Sequence, residues 1–424
     1  MTGDRPGIGP SWPDIWREFG RIGVLSFGGP AAQIALMHRV LVDERKWLGE
    51  QEYLRALSFC MLLPGPEAMQ LATYAGWRLR GIPGGLLAGG LFVLPGAALI
   101  LVLAALYTRL GGVPFIDALF LGIKACVVVI VIEALLRVSK RALTGRVQGA
   151  IASLAFAAIF VLGLPFPLII AASALAGALL ATPAPPAAGP DPGLPRNPTL
   201  LPVLFGGFAL WALPLAAAWA TGQGFLFDIG LFFSKLAIVT FGGAYAVLAY
   251  MAQEVVQTYG WVTTPQLMDA LGLAETTPGP LILVTEFVGY LAGHARGGPV
   301  LAALAAGMVL WVTFVPCFLW IFAFAPYVEW TARKPRLTSA LRGITAAVVG
   351  VIANLALWFG LHVLFARVGN DGPLALPLPD PASFDLRAAA IALAAGFLLL
   401  RLHWPLLCVL GLSAVAGVGL SVLG

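Results

Sequence analysis

The sequence predicts an all-α polytopic membrane protein of two inverted-topology repeats, about six helices each, joined by an extra helix for about thirteen spans. Three observations carry that prediction. Of 424 residues, 60% are hydrophobic and only 11% charged, where soluble domains carry about 25%; mean hydropathy is +0.92. The chain also repeats itself at an offset of 214 residues. Phe27-Gly28-Gly29 recurs as Phe241-Gly242-Gly243, Trp47 as Trp261, and Pro64-Gly65-Pro66 as Pro278-Gly279-Pro280, with Phe19 falling on Phe233 and Arg21 on Lys235. Finally, basic loop residues fall at opposite positions in the two copies.

Apolar stretches near the ~20 residues needed to cross a hydrocarbon core define the elements in order. The first repeat, 12–182, holds segments 15–42, 52–80 (broken at Pro-Gly-Pro), 83–110, 114–138, 147–164 and 165–182. Residues 182–198 are rich in Pro, Ala and Gly without apolar periodicity and read as a linker. With the unpaired segment 200–221 they form a connecting region, 183–225. The second repeat, 226–424, holds segments 226–255, 266–294 (again broken at Pro-Gly-Pro), 299–326, 338–366, 386–402 and 404–423. Each Pro-Gly-Pro segment reads either as one interrupted span or as a re-entrant hairpin, a choice that alters the span count.

Loop charge sets the orientation. Arg78 and Arg80 precede the third segment, and Arg137, Lys140, Arg141 and Arg146 follow the fourth, so both loops belong in the cytoplasm. In the second repeat the cluster Arg333, Lys334 and Arg336 lies between the third and fourth segments, the opposite place. The second repeat is thereby expected to run inverted, with the amino terminus inside. Six segments plus an odd helix between the repeats give the same answer.

Other classes fit less well. The net charge of +5 sits in short loops, which membrane orientation explains without nucleic acid. The first fourteen residues lack the apolar core of a cleavable signal. Cys60, Cys126, Cys317 and Cys408 are far apart in apolar segments and read as small buried hydrophobes. His38, His294, His362 and His403 match no metal spacing, so neither metal nor cofactor is expected. Trp47, Trp77, Trp261 and Trp330 lie near segment ends and read as interfacial anchors.

Pro-Gly-Pro interrupts the helical ladder, and irregular backbone at membrane depth survives only when covered by protein or lining a watery cavity. Pro64, Gly65, Pro66, Pro278, Gly279 and Pro280 are therefore expected inside, each followed by a half-helix whose free amides attract an anion. Phe27, Gly28, Gly29 and Pro30, with Phe241, Gly242 and Gly243, allow close backbone approach. A Pro kink with small-residue packing is the structural alternative. Arg21 and Lys235, at equivalent positions, are candidates to meet a dianion from opposite sides, unless they snorkel to headgroups. Lys124 is a third candidate cation, with Glu133 as partner or proton carrier, or as a plain salt bridge. Glu67, Glu133, Glu275 and Glu286 are candidate proton-coupling acids, though Glu67 also suits the first turn of a half-helix. Gln70, Thr73, Thr276 and Thr277 offer neutral hydrogen bonds to an oxyanion.

The run Ser26-Phe27-Gly28-Gly29-Pro30, then Leu62-Leu63-Pro64-Gly65-Pro66 leading into Gln70-Leu71-Ala72-Thr73-Tyr74 and Gly76-Trp77, resembles the chromate ion transporters. Thr240 to Gly243 and Thr277 to Pro280 resemble the family's second domain, as in a long, two-domain member. The resemblance implies a cytoplasmic-membrane protein that exports chromate, an oxyanion close to sulfate, driven by the proton motive force and conferring chromate resistance. The chain departs from the family's usual pattern at Met61, in place of a glutamine, and at Glu67, in place of an amide. The partners expected are chromate or sulfate, protons and membrane lipid; the sequence leaves the oligomeric state open, a homodimer among the options. The competing readings are a passive anion channel, a sulfate uptake carrier and an intramembrane enzyme. Against the last, no Ser/His pair, facing Asp pair or HExxH is present.

Overall fold

The computed structural model describes residues 10–111, 113–180, 197–241, 244–331, 334–369 and 377–423. Most of the expected linker, Gly242, Gly243, Arg333 and the start of the chain lie outside these described residues.

In the first half, α1 (Trp12–Leu25) is capped by Ser11, which exchanges hydrogen bonds with Asp14. The helix stops at Ser26, and Gly28 and Gly29 follow with φ of 85° and 78°, a left-handed turn suited to glycine. Next come α2 (Gly29–His38), with a wide π turn at Arg39–Glu44, then α3 (Glu50–Cys60), α4 (Glu67–Leu110), α5 (Pro114–Ala142), α6 (Arg146–Phe160) and α7 (Phe166–Leu180). The linking helix is α8 (Leu200–Ala220). The second half repeats the series as α9 (Gly224–Val239), α10 (Ala244–Ala252) with a π turn at Gln253–Thr258, α11 (Thr264–Thr276) and α12 (Val284–Phe324). It continues through α13 (Val328–Thr331), α14 (Pro335–Leu364), α15 (Leu386–Gly396) and α16 (Leu406–Leu423). Two short strands, β1 (Val368–Gly369) and β2 (Leu378–Pro379), pair antiparallel between α14 and α15. Helices α4, α5, α8 and α14, and the stretch Leu281–Tyr327 that contains α12, are long and apolar enough to cross a membrane. The chain is an all-helical, multi-pass membrane protein.

The Pro-Gly-Pro segments are hairpins, the second of the two alternatives open from the sequence. Arg78 Nε donates to Glu52 Oε1 at 2.7 Å, although 26 residues of continuous helix would separate them by about 39 Å. The chain therefore enters along α3, turns at Pro64-Gly65-Pro66 and returns along the start of α4. Likewise, Gln266 of α11 and His294 of α12 line one cavity. The segments expected at 15–42 and 226–255 fold back as well. Glu18 pairs with Arg45, and the equivalent residues Phe232 and Tyr259 stack edge to face at 5.5 Å. Phe19 meets Trp47, and Phe233 meets Trp261, both with centroids 6.4 Å apart. Trp47 and Trp261 thus brace the folded-back segments. Counting each hairpin segment as one crossing gave thirteen; the hairpins remove the basis of that count.

After each hairpin the chain kinks the same way. Arg80 and Gly81 adopt φ/ψ of −144°/27° and 63°/−158°, and Gly297 and Gly298 adopt −155°/21° and 74°/−164°. Beyond the kinks the halves interlock. Helix α4 packs on α12, α5 packs on α15 and α16 of the other half, and α14 reciprocates against α6 and α7. Small residues permit these approaches: Gly122 abuts the Ser413 carbonyl, and Gly343 the Ser173 carbonyl. Cys60, Cys126 and Cys317 are buried as expected, whereas Cys408 is exposed.

The hairpin tips press on the opposite half. A Cβ added to Gly96 of α4 would overlap the Pro278 carbonyl oxygen, while one at Gly65 would stand 2.8 Å from Cys317 Sγ of α12. Gly96→Ala should therefore destabilise the detergent-solubilised protein by about 1–3 kcal/mol, as overpacking does. Gly90→Ala, where the nearest neighbour is 4.0 Å away, should leave the melting temperature unchanged. Equal melting temperatures for the two variants would refute this account of the tips.

Candidate functional site

The four backbone breaks meet in one knot, held by a reciprocal pair of main-chain bonds. The Gly65 amide donates to the Thr240 carbonyl at 2.8 Å, and the Gly279 amide donates to the Ser26 carbonyl at 3.0 Å. These are equivalent groups, 214 residues apart in each case. The interruptions expose the groups that make them: Ser26 and Thr240 end helices, and each glycine sits with positive φ (126° and 92°) between two prolines that cannot donate. The Ser26 and Thr240 hydroxyls both turn back to donate to carbonyls four residues earlier, at 2.6 Å. They tie off one acceptor in the last turn of each helix.

Two amide side chains complete the knot. Gln33 Nε2 lies 3.1 Å from the Ser26 carbonyl and 2.6 Å from the Gly279 carbonyl, binding both halves at once. Gln70 Nε2 donates to the Pro64 carbonyl at 2.8 Å, closing the first tip on itself. Both side chains are buried, and their Oε1 atoms lack a hydrogen-bond partner among the described residues. Around them, Thr73 and Thr277 are buried and donate to carbonyls of their own helices, as does the half-buried Thr276. Helices α2 and α4 begin here with no side-chain cap, as does the short turn after Pro280. Their first amides make the surroundings electropositive without a formal charge.

The predicted residues divide between this knot and other places. Gly65, Pro66, Pro278, Gly279 and Pro280 are buried in it, with Pro64 at its edge. Phe27, Gly28, Gly29, Pro30 and Phe241 are half-buried at the two helix ends. Arg21 and Lys235 are both exposed. Arg21 faces Glu18 at 3.7 Å and Glu44 at 3.5 Å. Lys235 has no ion partner among the described residues. Lys124 and Glu133 do not pair either, because Lys124 faces Asp269 of α11 at 3.2 Å and Glu133 holds Arg137 one turn on. Tyr107 of α4 donates to the other Asp269 oxygen at 2.8 Å. Of the remaining acids, Glu67 opens α4 half-buried at the tip. Glu275 is buried and accepts a 2.6 Å bond from Tyr245, while Glu286 is buried with Oε2 lacking a hydrogen-bond partner among the described residues.

Sequence reasoning missed Gln33, Tyr107, Tyr245 and Asp269. Gln33 was findable as an amide inside an apolar run seven residues after Ser26. Asp269 lies so near the start of its segment that it passes for a loop residue. No group of three or more His, Cys, Asp or Glu able to hold a metal occurs among the described residues.

Chemically, the knot offers the first backbone amides of its helices as donors, with the Glu67 carboxyl at one tip and the cations set back from it. Such a place can desolvate an oxyanion or separate two aqueous spaces. Gln33→Leu removes a buried donor shared by two carbonyls, and should cost about 1–3 kcal/mol. It should lower the melting temperature more than Gln70→Leu, whose bond stays within one tip. A smaller loss for Gln33→Leu than for Gln70→Leu in the same thermal scan would count against a bridging role.

Comparison with known proteins places this architecture. The family model for the chromate transporter matches residues 13–178 and again 227–418. The chain is 35% identical over 358 residues to a chromate transport protein of Pseudomonas aeruginosa, covering 81% of this chain and 79% of that one. It is 32% identical over 395 residues to a probable chromate transport protein of Synechococcus elongatus, covering 90% and 95%. A chromate transport protein of Cupriavidus metallidurans is 32% identical over 362 residues, covering 84% of each chain. No solved structure matches. With both halves matched and three relatives similar over most of their length, the chain belongs to the chromate transporter family.

Proposed function

We propose that this protein exports chromate across the cytoplasmic membrane, accepts sulfate as a related dianion, and works by alternating access driven by the proton motive force. Cells carrying it would thereby resist chromate. The observation that carries the reading is the reciprocal contact of the four breaks. Equivalent groups that bond each other across the halves imply a pseudo-two-fold relation, and a site held between two related repeats is the arrangement on which rocking carriers depend. The names of the relatives supply the substrate.

In this reading, which the loop charges support, that axis lies in the membrane plane, with the amino terminus in the cytoplasm and the repeats, 12–182 and 226–424, inverted. Two folded-back segments in each repeat enter and leave on one side and remove two crossings, which keeps the count per repeat even, so the odd helix α8 still reverses the second half. In this reading the Pro-Gly-Pro tips form the barrier between the two aqueous spaces, and their amides meet the anion as it passes. Arg21 and Lys235, being exposed, act at the two entrances. Lys124 serves within, and Glu67, Glu133, Glu275 and Glu286 are the acids that carry protons. Against a channel reading, the breaks are hydrogen-bonded to one another across the halves.

Purified protein in proteoliposomes should accumulate chromate against its gradient when a proton gradient is imposed, and sulfate should compete. Movement of neither anion would end the proposal, and movement only down the gradient would favour a channel. Lys235→Ala should abolish transport, or reduce it at least about tenfold if the charge acts only by attraction near the surface. A rate equal to that of the unaltered protein at every salt concentration would remove Lys235 from the pathway.

A further inference from the structure

The geometry points to Lys124, Asp269 and Tyr107 as a lock between the two halves, opened by a proton on Asp269 or by an oxyanion at Lys124. The inference rests on the transport reading and adds a proton site to it. Three elements meet here: α5 brings Lys124, α4 brings Tyr107, and α11, the outer arm of the second hairpin, brings Asp269. Nζ stands 3.2 Å from Oδ1, and the Tyr107 hydroxyl 2.8 Å from Oδ2. The Asp269 side chain is only 6% exposed against 22% for Lys124. A buried carboxylate holding two partners from the opposite half ties the hairpin arm to that half. Breaking one partner away leaves a costly uncompensated charge.

The same carboxylate has a route to water. Asp269 lines a cavity of about 340 Å³ together with Tyr107, Thr108, Asp117, Gln266 and His294. The groups that face it are therefore Lys124 and Asp117 from α5, Tyr107 from α4, Gln266 from α11 and His294 from α12. Asp117 and His294 can pass a proton inward, and the acidic lining disfavours an anion on this side. A proton arriving from the cavity adds to Oδ1 and turns the carboxylate into a neutral acid, while Lys124 keeps its three protons and its charge. The attraction that closes the lock is then gone. An oxyanion reaching Lys124 has the same outcome by the other route, because it satisfies the ammonium and releases the ionised Asp269 toward the wet cavity. An empty carrier stays locked, whereas one loaded with either a proton or an anion is free to reorient. That rule makes exchange obligatory and suppresses leak.

The test needs no substrate. Hydrogen exchange of α11 amides in the full-length protein in nanodiscs is measured near pH 8 and near pH 6, as protection factors corrected for intrinsic exchange. In the unaltered protein acidification should lower α11 protection by up to about tenfold per pH unit, the limit for one proton. Asp269→Asn should be weakly protected at both values. Tyr107→Phe, the milder change, should be less protected near pH 8 yet keep the response to acid, and it decides the matter alone if Asp269→Asn does not fold. An unaltered protein without the acid response, an Asp269→Asn variant that retains it, or a Tyr107→Phe variant protected like the unaltered protein near pH 8 would each overturn the lock. If the acid response is present and proteoliposomes move no oxyanion, the transport reading falls and the lock stands.

Discussion

Everything central in this molecule depends on two main-chain hydrogen bonds, from Gly65 to Thr240 and from Gly279 to Ser26. A membrane protein has no water at depth to satisfy broken helices, and each orphaned backbone group there costs several kcal/mol. This chain breaks four helices near one point and resolves the problem by letting each half satisfy the other. Either bond alone is worth about 1 kcal/mol net. Its loss would instead strand a donor and an acceptor in a dry interior, so the arrangement holds by the cost of the alternative.

That constraint explains the surrounding sequence. The tips must approach the opposite half closely, so Gly96 offers no side chain to Pro278, and Gly65 leaves little room beside Cys317. The helices must end sharply, so Ser26 and Thr240 fold their hydroxyls back onto the last turn. The prolines remove donors that would otherwise need partners. Gln33 has no amide counterpart in the second half, where Val247 occupies the equivalent place. The knot is accordingly two-fold in its backbone and one-sided in its side chains.

The fold was largely legible because its signals are periodic or repeated. Apolar length gave membrane helices, and Pro-Gly-Pro in both copies told of buried breaks before any coordinates. What the sequence could not separate was an interrupted span from a hairpin, since both have the same residues and differ only in whether the chain reverses. The reversal is written in pairs such as Arg78 with Glu52 and Glu18 with Arg45, which are unremarkable as loop charges. The site was legible in its backbone and poorly so in its charges. Arg21 and Lys235 share a repeat position, but both face outward, because a position fixes an angle around a helix only after the helix is packed. Lys124 was legible as a buried cation, but its partner lay on another element 145 residues away.

Exact symmetry and directed transport make opposed demands, and the distribution of charge shows how they are met. Two identical halves would give the inward- and outward-facing forms equal energies and identical proton chemistry. Here the backbone breaks are duplicated, while Lys124 falls opposite Thr345, Glu133 opposite Asn354, Asp269 opposite Arg55 and Glu275 opposite Met61. None of these four groups has a like-charged counterpart in the other copy. Glu275 with Tyr245, and Asp269 with Lys124 and Tyr107, also lie on the second hairpin and its neighbours, where the Pro-Gly-Pro is fully buried. The first hairpin carries Gln70 and the half-buried Glu67 instead. In the proposed cycle, duplication would supply the two-state scaffold, and the unpaired ionisable residues would supply the difference between its states on which a proton gradient could act.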